Sequence, residues 1–151
     1  MEFVEIGGEN LNEIENIEKL EKECFGDGGI NMWVLKPFAK YGKIYWLKKD
    51  NEIKAFCEII MGWDRKTAYI FSFGVNKDEQ KKGFGYKLMQ LIIEKLKSEN
   101  VEKIELTVYP LNKSGVKLYE KCGFIVEKSM ENEYGNGESR YLMGLKLKNT
   151  I

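Results

Sequence analysis

The feature that most constrains the fold is a change of hydrophobic period in the middle of the chain. Thr67–Val75 is a short apolar run with the composition of a strand. From about Gly85 onward the apolar residues recur at helical spacing, and over Lys103–Val108 they alternate as in a second strand. A strand–helix–strand unit of this length predicts two parallel strands joined by a right-handed crossover.

Further strands are predicted on both sides of this unit, joined by short polar or glycine-containing turns. They lie at residues 3–6, 43–48, 53–61, 124–130 and 141–147. Helical spacing predicts helices over residues 11–24 and 113–121, and a shorter helix over 31–41 that breaks near Pro37. The chain is therefore predicted to be an α+β protein with a mixed, mostly antiparallel sheet of about six or seven strands.

The segment Gln80–Gly85 is a glycine-containing turn between the predicted strand and the predicted helix. The first N–H groups of a helix lack intrahelical partners and lie at the positive end of its dipole. Such a turn predicts a site for a phosphate group, because glycine lets the backbone approach an anion closely. The alternative is a flexible turn that binds nothing, and the turn alone does not decide between them.

Composition limits the possible functions. The 151 residues predict one domain over residues 1–151, and the balance of 24 basic and 24 acidic residues argues against nucleic-acid binding. The chain has no histidine, which excludes His-based triads and His-ligated zinc, and no metal is expected. Scattered cysteines, the lack of a membrane-length apolar run and an N-terminus unlike a signal peptide predict a cytoplasmic protein without membrane contact.

Two segments resemble the signatures of the GCN5-related N-acetyltransferases, the GNAT superfamily. In the first, between Val75 and Tyr86, a strand ending in Val is followed by Gln-x-x-Gly-x-Gly at the start of a long helix. In the second, Asn112 follows the next strand and Tyr119 comes shortly before a Gly-Phe pair. Both segments match in residue type, order and spacing, and the resemblance is specific over residues 67–124.

The resemblance implies an α/β/α layered GNAT fold, with helices on both faces of the sheet and a splayed central strand pair. It implies acetyl-CoA as the cosubstrate, with its pyrophosphate on the backbone of the glycine turn and its pantetheine arm along the preceding strand. The implied acetyl-CoA-binding residues are Phe73, Gly74, Val75, Gln80, Lys81, Lys82, Gly83, Phe84, Gly85, Tyr86, Asn112 and Tyr119.

Several of these residues also have a purely structural explanation. Gly74 in a strand allows close approach by a ligand, but it is also compatible with a β-bulge. Asn112 either binds the pantetheine or caps the helix that starts beside it. Lys81 and Lys82 either add positive charge to the phosphate site or form a solvated basic pair.

Tyr119 is the residue that the resemblance implies for catalysis. The matching Tyr of the family protonates the departing thiolate, a role that suits a phenol. The alternative is a core aromatic side chain. Cys122 lies nearby, but without a histidine partner it is expected to be buried and inert, so the amine is expected to attack directly.

The base that deprotonates the amine is the least defined residue. The positions at which two branches of the family carry a Glu are Thr107 and Tyr69 in this chain. Glu58, in the apolar run of residues 56–60, is the candidate, because desolvation there would raise its pKa. The alternative is an exposed Glu at a sheet edge.

The acceptor is predicted to be a small amine or amino acid, or a protein N-terminus. Residues 133–143 are partly similar to a loop of protein N-terminal acetyltransferases in which a Tyr binds the peptide, and this similarity implies that role for Tyr134. An ordinary glycine-rich hairpin turn is the alternative. Aromatic residues of the first half either line an acceptor pocket or fill the core, namely Phe25, Trp33, Phe38 and Trp63.

The main expectation is therefore an acetyl-CoA-dependent N-acetyltransferase that works in a ternary complex. The alternative from a different class is a non-catalytic acyl-CoA sensor on the same scaffold. An exposed edge strand could also pair two copies into a homodimer.

Overall fold

The computed structural model describes residues 1–147, which form seven β-strands and four α-helices. The strands are β1 Glu2–Glu5, β2 Lys43–Lys49, β3 Glu52–Met61, β4 Thr67–Val75, β5 Lys103–Val108, β6 Ile125–Met130 and β7 Arg140–Lys146. The helices are α1 Leu11–Phe25, α2 Met32–Tyr41, α3 Phe84–Ser98 and α4 Lys113–Lys121. The strands form one mixed sheet in the order β1-β2-β3-β4-β5-β7-β6, which confirms the predicted α+β architecture.

The chain divides into two compact units. The first contains residues 1–60 and 71–91, and the second contains residues 61–70 and those from 92 onward. The prediction of one domain over residues 1–151 stays a prediction, and its last four residues lie outside the described part of the chain. No helix within residues 1–147 has the length and apolar character needed to cross a bilayer.

In the first unit, β1, β2 and β3 are antiparallel neighbours. The turn between β2 and β3 is a two-residue hairpin in which Asp50 and Asn51 have φ values of 52° and 65°. Asn and Asp tolerate this conformation, and its twist matches that of paired strands. A core of apolar residues from α1, α2, β2 and β3 holds the unit together; it includes Ile14, Ile17, Leu35, Ile44, Trp46 and Phe56.

Helix α2 continues through Pro37 to Tyr41, so the predicted break near Pro37 is wrong. Proline removes one backbone donor from a helix interior. The helix nevertheless closes with the Gly42 N–H donating to the carbonyl of Phe38 at 2.8 Å. Leu35 and Phe38 are both buried in the core, and this packing keeps the helix intact on either side of the proline.

In the second unit, residues Thr67–Ile70 of β4 pair in parallel with Lys103–Leu106 of β5, which confirms the predicted parallel pair. Strand β7 pairs antiparallel with both β5 and β6. Helix α4 ends shortly before Gly123, which has a φ of 102° and whose N–H donates to the carbonyl of Glu120 at 2.9 Å. The predicted divergence of the central strands stays a prediction.

Candidate active site

The turn before α3 has a defined backbone. Asn76 starts a short 3-10 helix over Lys77–Glu79 and accepts a hydrogen bond from the Asp78 N–H at 3.2 Å. Lys81 and Gly83 then have φ values of 69° and 85°, in the left-handed region that favours glycine. The chain thereby reverses direction before α3 begins at Phe84.

This turn can accommodate an anion. The first turn of α3 contains no acidic residue, so the N–H groups and the dipole at this end of the helix favour a negative ligand. No atom lies within 4 Å of the position where a Cβ would stand on Gly83, so the backbone there is open to a ligand. Lys82 is not simply solvated, because its Nζ lies 3.1 Å from Glu79.

A buried lysine fixes the turn to β3. Lys54 is almost fully buried, and its Nζ lies 2.8 Å from Oε1 of Glu79. Hydrogen bonds from Lys54 and then Lys82 lower the pKa of Glu79, so this carboxylate stays ionised at neutral pH. The Asn76 N–H also donates to the Lys54 carbonyl at 2.9 Å. The backbone of the turn is therefore held in place by β3.

Gly74 has no room for a side chain. A Cβ at this position would lie 2.5 Å from two ring carbons of Phe56 and 3.3 Å from the sulfur of Cys24. Phe56 is fully buried, so its ring has little freedom to move away. Beside it, the Cys24 thiol donates to the Val75 carbonyl at 3.4 Å. The structure thus gives a packing reason for glycine here, in addition to the ligand approach that the sequence suggested.

Glu58 is fully buried on β3, so the alternative of an exposed edge residue is wrong. Neither carboxyl oxygen accepts a hydrogen bond from any residue in the described range. Burial, and then the neighbouring Glu21 carboxylate, raise the pKa of Glu58 to about 10. Glu58 therefore holds a proton at neutral pH, which it can share with Glu21.

Glu21 was missed by the sequence analysis. It is buried on α1, where Ser72 Oγ donates to one of its oxygens at 2.6 Å and the Ile30 N–H donates to the other at 3.3 Å. A signal was present in the sequence, since Glu21 lies at helical spacing with the buried Ile14 and Ile17. A carboxylate on the apolar face of a helix indicates a buried polar site.

In the second unit, Asn112 caps α4. Its side-chain oxygen accepts from the Gly115 N–H at 3.1 Å and from Ser114 Oγ at 3.3 Å. A Cβ on Gly115 would lie 2.6 Å from the Asn112 side-chain nitrogen, so a larger residue there would require the Asn112 side chain to shift. The capping role is confirmed, and contact with the pantetheine stays a prediction.

Tyr119 is the buried residue of α4, with about 9 % of its surface exposed. Its ring makes an edge-on contact with Phe124, with ring centres 6.0 Å apart. The Phe124 N–H also donates to the Tyr119 carbonyl at 3.0 Å. These contacts fix the ring in one orientation, which both a core role and a catalytic role require.

The cysteines are free thiols, and their environment makes them unreactive. Cys122 is half-buried rather than buried, and desolvation raises its pKa to about 11. Burial likewise raises the pKa of Cys24 and, more strongly, that of Cys57. Since the thiolate is the nucleophile, these thiols are poorly suited to covalent catalysis at neutral pH.

Tyr134 belongs to a chain of three hydroxyl groups. Its hydroxyl oxygen lies 2.9 Å from Oγ1 of Thr107, which in turn lies 3.0 Å from the hydroxyl oxygen of Tyr69. The guanidinium of Arg140 lies over the rings of Tyr109 and Tyr134, at 5.1 Å and 5.6 Å from their centres. Thr107 and Tyr69 therefore meet in space, a connection that their separation in sequence did not reveal.

The aromatic residues of the first half do not behave as a group. Phe38 lies in the core, which confirms the core alternative for this residue. Phe25, Trp33 and Trp63 have large exposed surfaces, so the core explanation is wrong for them.

Comparison with known proteins identifies the relatives of the chain. Residues 11–124 match the sequence profile described as the acetyltransferase (GNAT) family. The chain is also similar to the [ribosomal protein bS18]-alanine N-acetyltransferase of Salmonella typhimurium. The two are 29% identical over 114 residues, a region that covers 76% of this chain and 69% of the relative.

Solved structures show the same fold. The ribosomal-protein-S18-alanine N-acetyltransferase from Escherichia coli superimposes with a TM-score of 0.83 at 19% identity, covering 99% of this chain and 97% of the other. An aminoglycoside 6'-N-acetyltransferase complexed with coenzyme A superimposes with a TM-score of 0.84 at 12% identity, covering 100% of this chain and 99% of the other.

Proposed function

This chain belongs to the acetyltransferase (GNAT) family, and we propose that it transfers the acetyl group of acetyl-CoA to the nitrogen of a primary amine. The observation that carries the proposal is the turn before α3. It combines left-handed backbone at Lys81 and Gly83 with open space and a helix N-terminus free of acidic residues. This arrangement suits the pyrophosphate of a CoA thioester.

The cosubstrate-binding residues are proposed on the same basis. The N–H groups from Lys81 to Tyr86 would hold the pyrophosphate, with Gln80 closing the turn and Lys81 and Lys82 adding positive charge. The backbone of Phe73–Val75 and the side chain of Asn112 would bind the pantetheine. A solved structure of the same fold is a coenzyme A complex, which supports this assignment.

We propose that the amine attacks the thioester directly in a ternary complex. Tyr119, whose ring is fixed by Phe124, would donate its phenolic proton to the departing thiolate. The high pKa of Cys122 supports direct attack over an acetyl-cysteine intermediate. The nitrogen forms the new amide bond and the thioester C–S bond breaks. The first proton of the ammonium leaves for solvent, and the second proton lost by the nitrogen restores the Tyr119 phenol.

Glu58 is the proposed base, and its surroundings set a condition on this role. A carboxyl group with a pKa of about 10 is neutral at pH 7 and accepts no proton in that state. A cationic ammonium nearby would favour the ionised form and lower this pKa. Glu58 acts as a base only if the bound acceptor supplies that charge.

The proposed acceptor is a small amine or amino acid, or a protein N-terminus bound through Tyr134. The relatives of the chain include a ribosomal-protein alanine N-acetyltransferase by name, and the structural neighbours include aminoglycoside acetyltransferases. Both acceptor classes present a primary amine, which is the chemistry that the proposal requires.

The test is to add acetyl-CoA and a panel of amines and peptide N-termini, and to measure the free thiol that is released. Tyr119→Phe should lower kcat by about 100-fold or more while changing CoA affinity little. If the wild-type protein binds acetyl-CoA without turnover on any acceptor, the non-catalytic sensor becomes the better description. Unchanged turnover in Tyr119→Phe would remove Tyr119 as the acid.

The cosubstrate site has its own matched pair of variants. Gly83 and Gly135 both have positive φ values, 85° and 78°, and both have open space around the Cβ position. Valine at either position introduces similar backbone strain. Gly83→Val should lower CoA affinity at least about tenfold by calorimetry, whereas Gly135→Val should not. Equal affinities in the two variants would contradict the phosphate assignment.

A further inference from the structure

We propose that the hydroxyl groups of Tyr69, Thr107 and Tyr134 form a proton relay that carries the proton of the acceptor ammonium to solvent. This inference rests on the proposed function, which requires a proton to leave the amine. The relay leaves Tyr119 as the acid and keeps the residues that bind acetyl-CoA, but it takes the place of Glu58 as the group that receives the proton of the ammonium.

The geometry gives a continuous path. Tyr69 on β4, Thr107 on β5 and Tyr134 between β6 and β7 form two consecutive hydrogen bonds of 3.0 Å and 2.9 Å. Each hydroxyl has one proton and can also accept. When Thr107 accepts one of the two bonds and donates the other, one end of the chain donates outward and the other end has a lone pair to accept. When every proton shifts along the chain, the donor and the acceptor of each hydrogen bond change places.

The two ends differ in their access to water. Tyr69 is half-buried, and desolvation is the main reason that its pKa is raised to about 12, which disfavours a lasting phenolate there. Tyr134 is 58% exposed and can deliver a proton to water. The half-buried end therefore receives the proton and the exposed end releases it.

The proton transfer balances without any further reactant. One N–H bond of the ammonium breaks, and an O–H bond forms on the hydroxyl oxygen of Tyr69. Tyr69 passes its own proton to Thr107, Thr107 passes its proton to Tyr134, and Tyr134 passes its proton to a water molecule. The three side chains end neutral, and the amine is left with the free electron pair that it needs for attack.

The charges around the chain favour release at the exposed end. The Arg140 guanidinium lies 5.6 Å from the Tyr134 ring centre, and this positive charge disfavours an excess proton on that hydroxyl. Arg140 is itself held by Glu138 at 3.1 Å. Glu133 lies close enough to Tyr69 to contribute to its raised pKa.

The strand that pairs with β4 at Tyr69 carries one more carboxylate. Glu105 on β5 is the register partner of Tyr69, and its carboxylate lies 3.8 Å from Nζ of Lys103. The shorter contact of Lys103, at 2.7 Å, is with Glu127. Within the described residues no hydrogen bond joins Glu105 to the three hydroxyls, so the carboxylate is not part of the path.

The surroundings of Glu58 give a second reason to propose the relay. This carboxyl group is fully buried and has no hydrogen-bond partner in the described chain other than the neighbouring Glu21 carboxylate, with which it can share a proton. A proton accepted there passes first to Glu21, which is itself buried. The hydroxyl chain ends instead at an exposed phenol, from which a proton reaches water directly.

The test compares Thr107→Val with Thr107→Ser in the thiol-release assay. Valine has nearly the shape of threonine but breaks both links, whereas serine keeps the hydroxyl. We expect Thr107→Val to lower kcat by about tenfold to 100-fold near pH 7, with partial recovery at higher pH. Thr107→Ser should restore most of this loss, and the KM for acetyl-CoA should stay within about twofold in both.

Tyr134→Phe is the second variant, and folding should tolerate it because the side chain is exposed. We expect a fall in kcat and a smaller solvent isotope effect than in the wild type. If Tyr134→Phe raises only the acceptor KM, then Tyr134 binds the acceptor and the relay is wrong. The relay is equally wrong if Thr107→Val keeps the wild-type kcat and pH profile, or if Glu58→Gln alone removes the pH dependence.

The wild-type measurement separates this inference from the proposed function. Turnover by the wild type together with normal kcat in both relay variants overturns the relay and leaves the acetyltransferase assignment intact. Binding of acetyl-CoA without turnover on any amine overturns both.

Discussion

Glu58→Gln should change how the stability of the protein depends on pH. In the folded protein the pKa of Glu58 is raised to about 10, from an ordinary value of 4.5. Between these two values the folded state binds one proton more than the unfolded state. The stabilisation is therefore fully present below about pH 4.5 and is lost progressively as the pH rises toward 10.

The size of the effect follows from this difference in proton binding. One proton corresponds to a slope of at most about 1.4 kcal/mol per pH unit, or about 4 kcal/mol between pH 5 and pH 8. Between pH 5 and pH 8 the change in stability is expected to come from Glu58. The lowered pKa values of Asp64 and Glu79 act below about pH 4.5, and the raised pKa values of the cysteine thiols act above their ordinary 9.0.

A glutamine at this position has the same shape and no charge, and its amide can donate to Glu21. We expect the free energy of unfolding in urea, followed by tryptophan fluorescence, to fall from pH 5 to pH 8 in the wild type. It should stay nearly level in Glu58→Gln. Glu15→Gln on the exposed side of α1 is the matched control and should keep the wild-type slope.

Two results would refute the reasoning. One is a Glu58→Gln variant with the same slope as the wild type. The other is a variant that is less stable than the wild type at pH 8, which would mean that the ionised carboxylate makes contacts that the amide cannot replace.

Two further predictions concern packing and reactivity. Gly74→Ala should destabilise the protein by about 1–3 kcal/mol in urea unfolding, because the new Cβ meets the buried Phe56 ring at 2.5 Å. Phe56→Leu should relieve part of that cost in the double variant, and Gly7→Ala, with open space around its Cβ, should change stability by less than about 0.5 kcal/mol. Cys122→Ser should keep kcat within about twofold, because desolvation keeps the thiol protonated. An acetylated Cys122 detected by mass spectrometry would contradict direct attack.

Local patterns predicted much of the fold. The bounds of β4, β5 and α4 agree with the predicted ranges, because hydrophobic period and helix-ending residues act over a few neighbouring positions. The GNAT fold and the N-acetyltransferase class, inferred from the two motifs around Gly83 and Tyr119, were confirmed by the family match and the structural neighbours. Pro37 was misjudged, because burial on either side of it outweighs its local preference.

The features of the candidate site also divide into local ones and ones that depend on tertiary packing. The sequence by itself determined the glycine turn and the cap at Asn112, since both depend on residues close together in the chain. Only the tertiary structure decided that Glu58 is buried beside Glu21, that Gly74 faces the Phe56 ring, and that three hydroxyl groups meet at Thr107. These contacts join residues between 18 and 38 positions apart, as the numbering shows. Spacing along one element carries no information about them, because desolvation and proton sharing depend on which elements pack together.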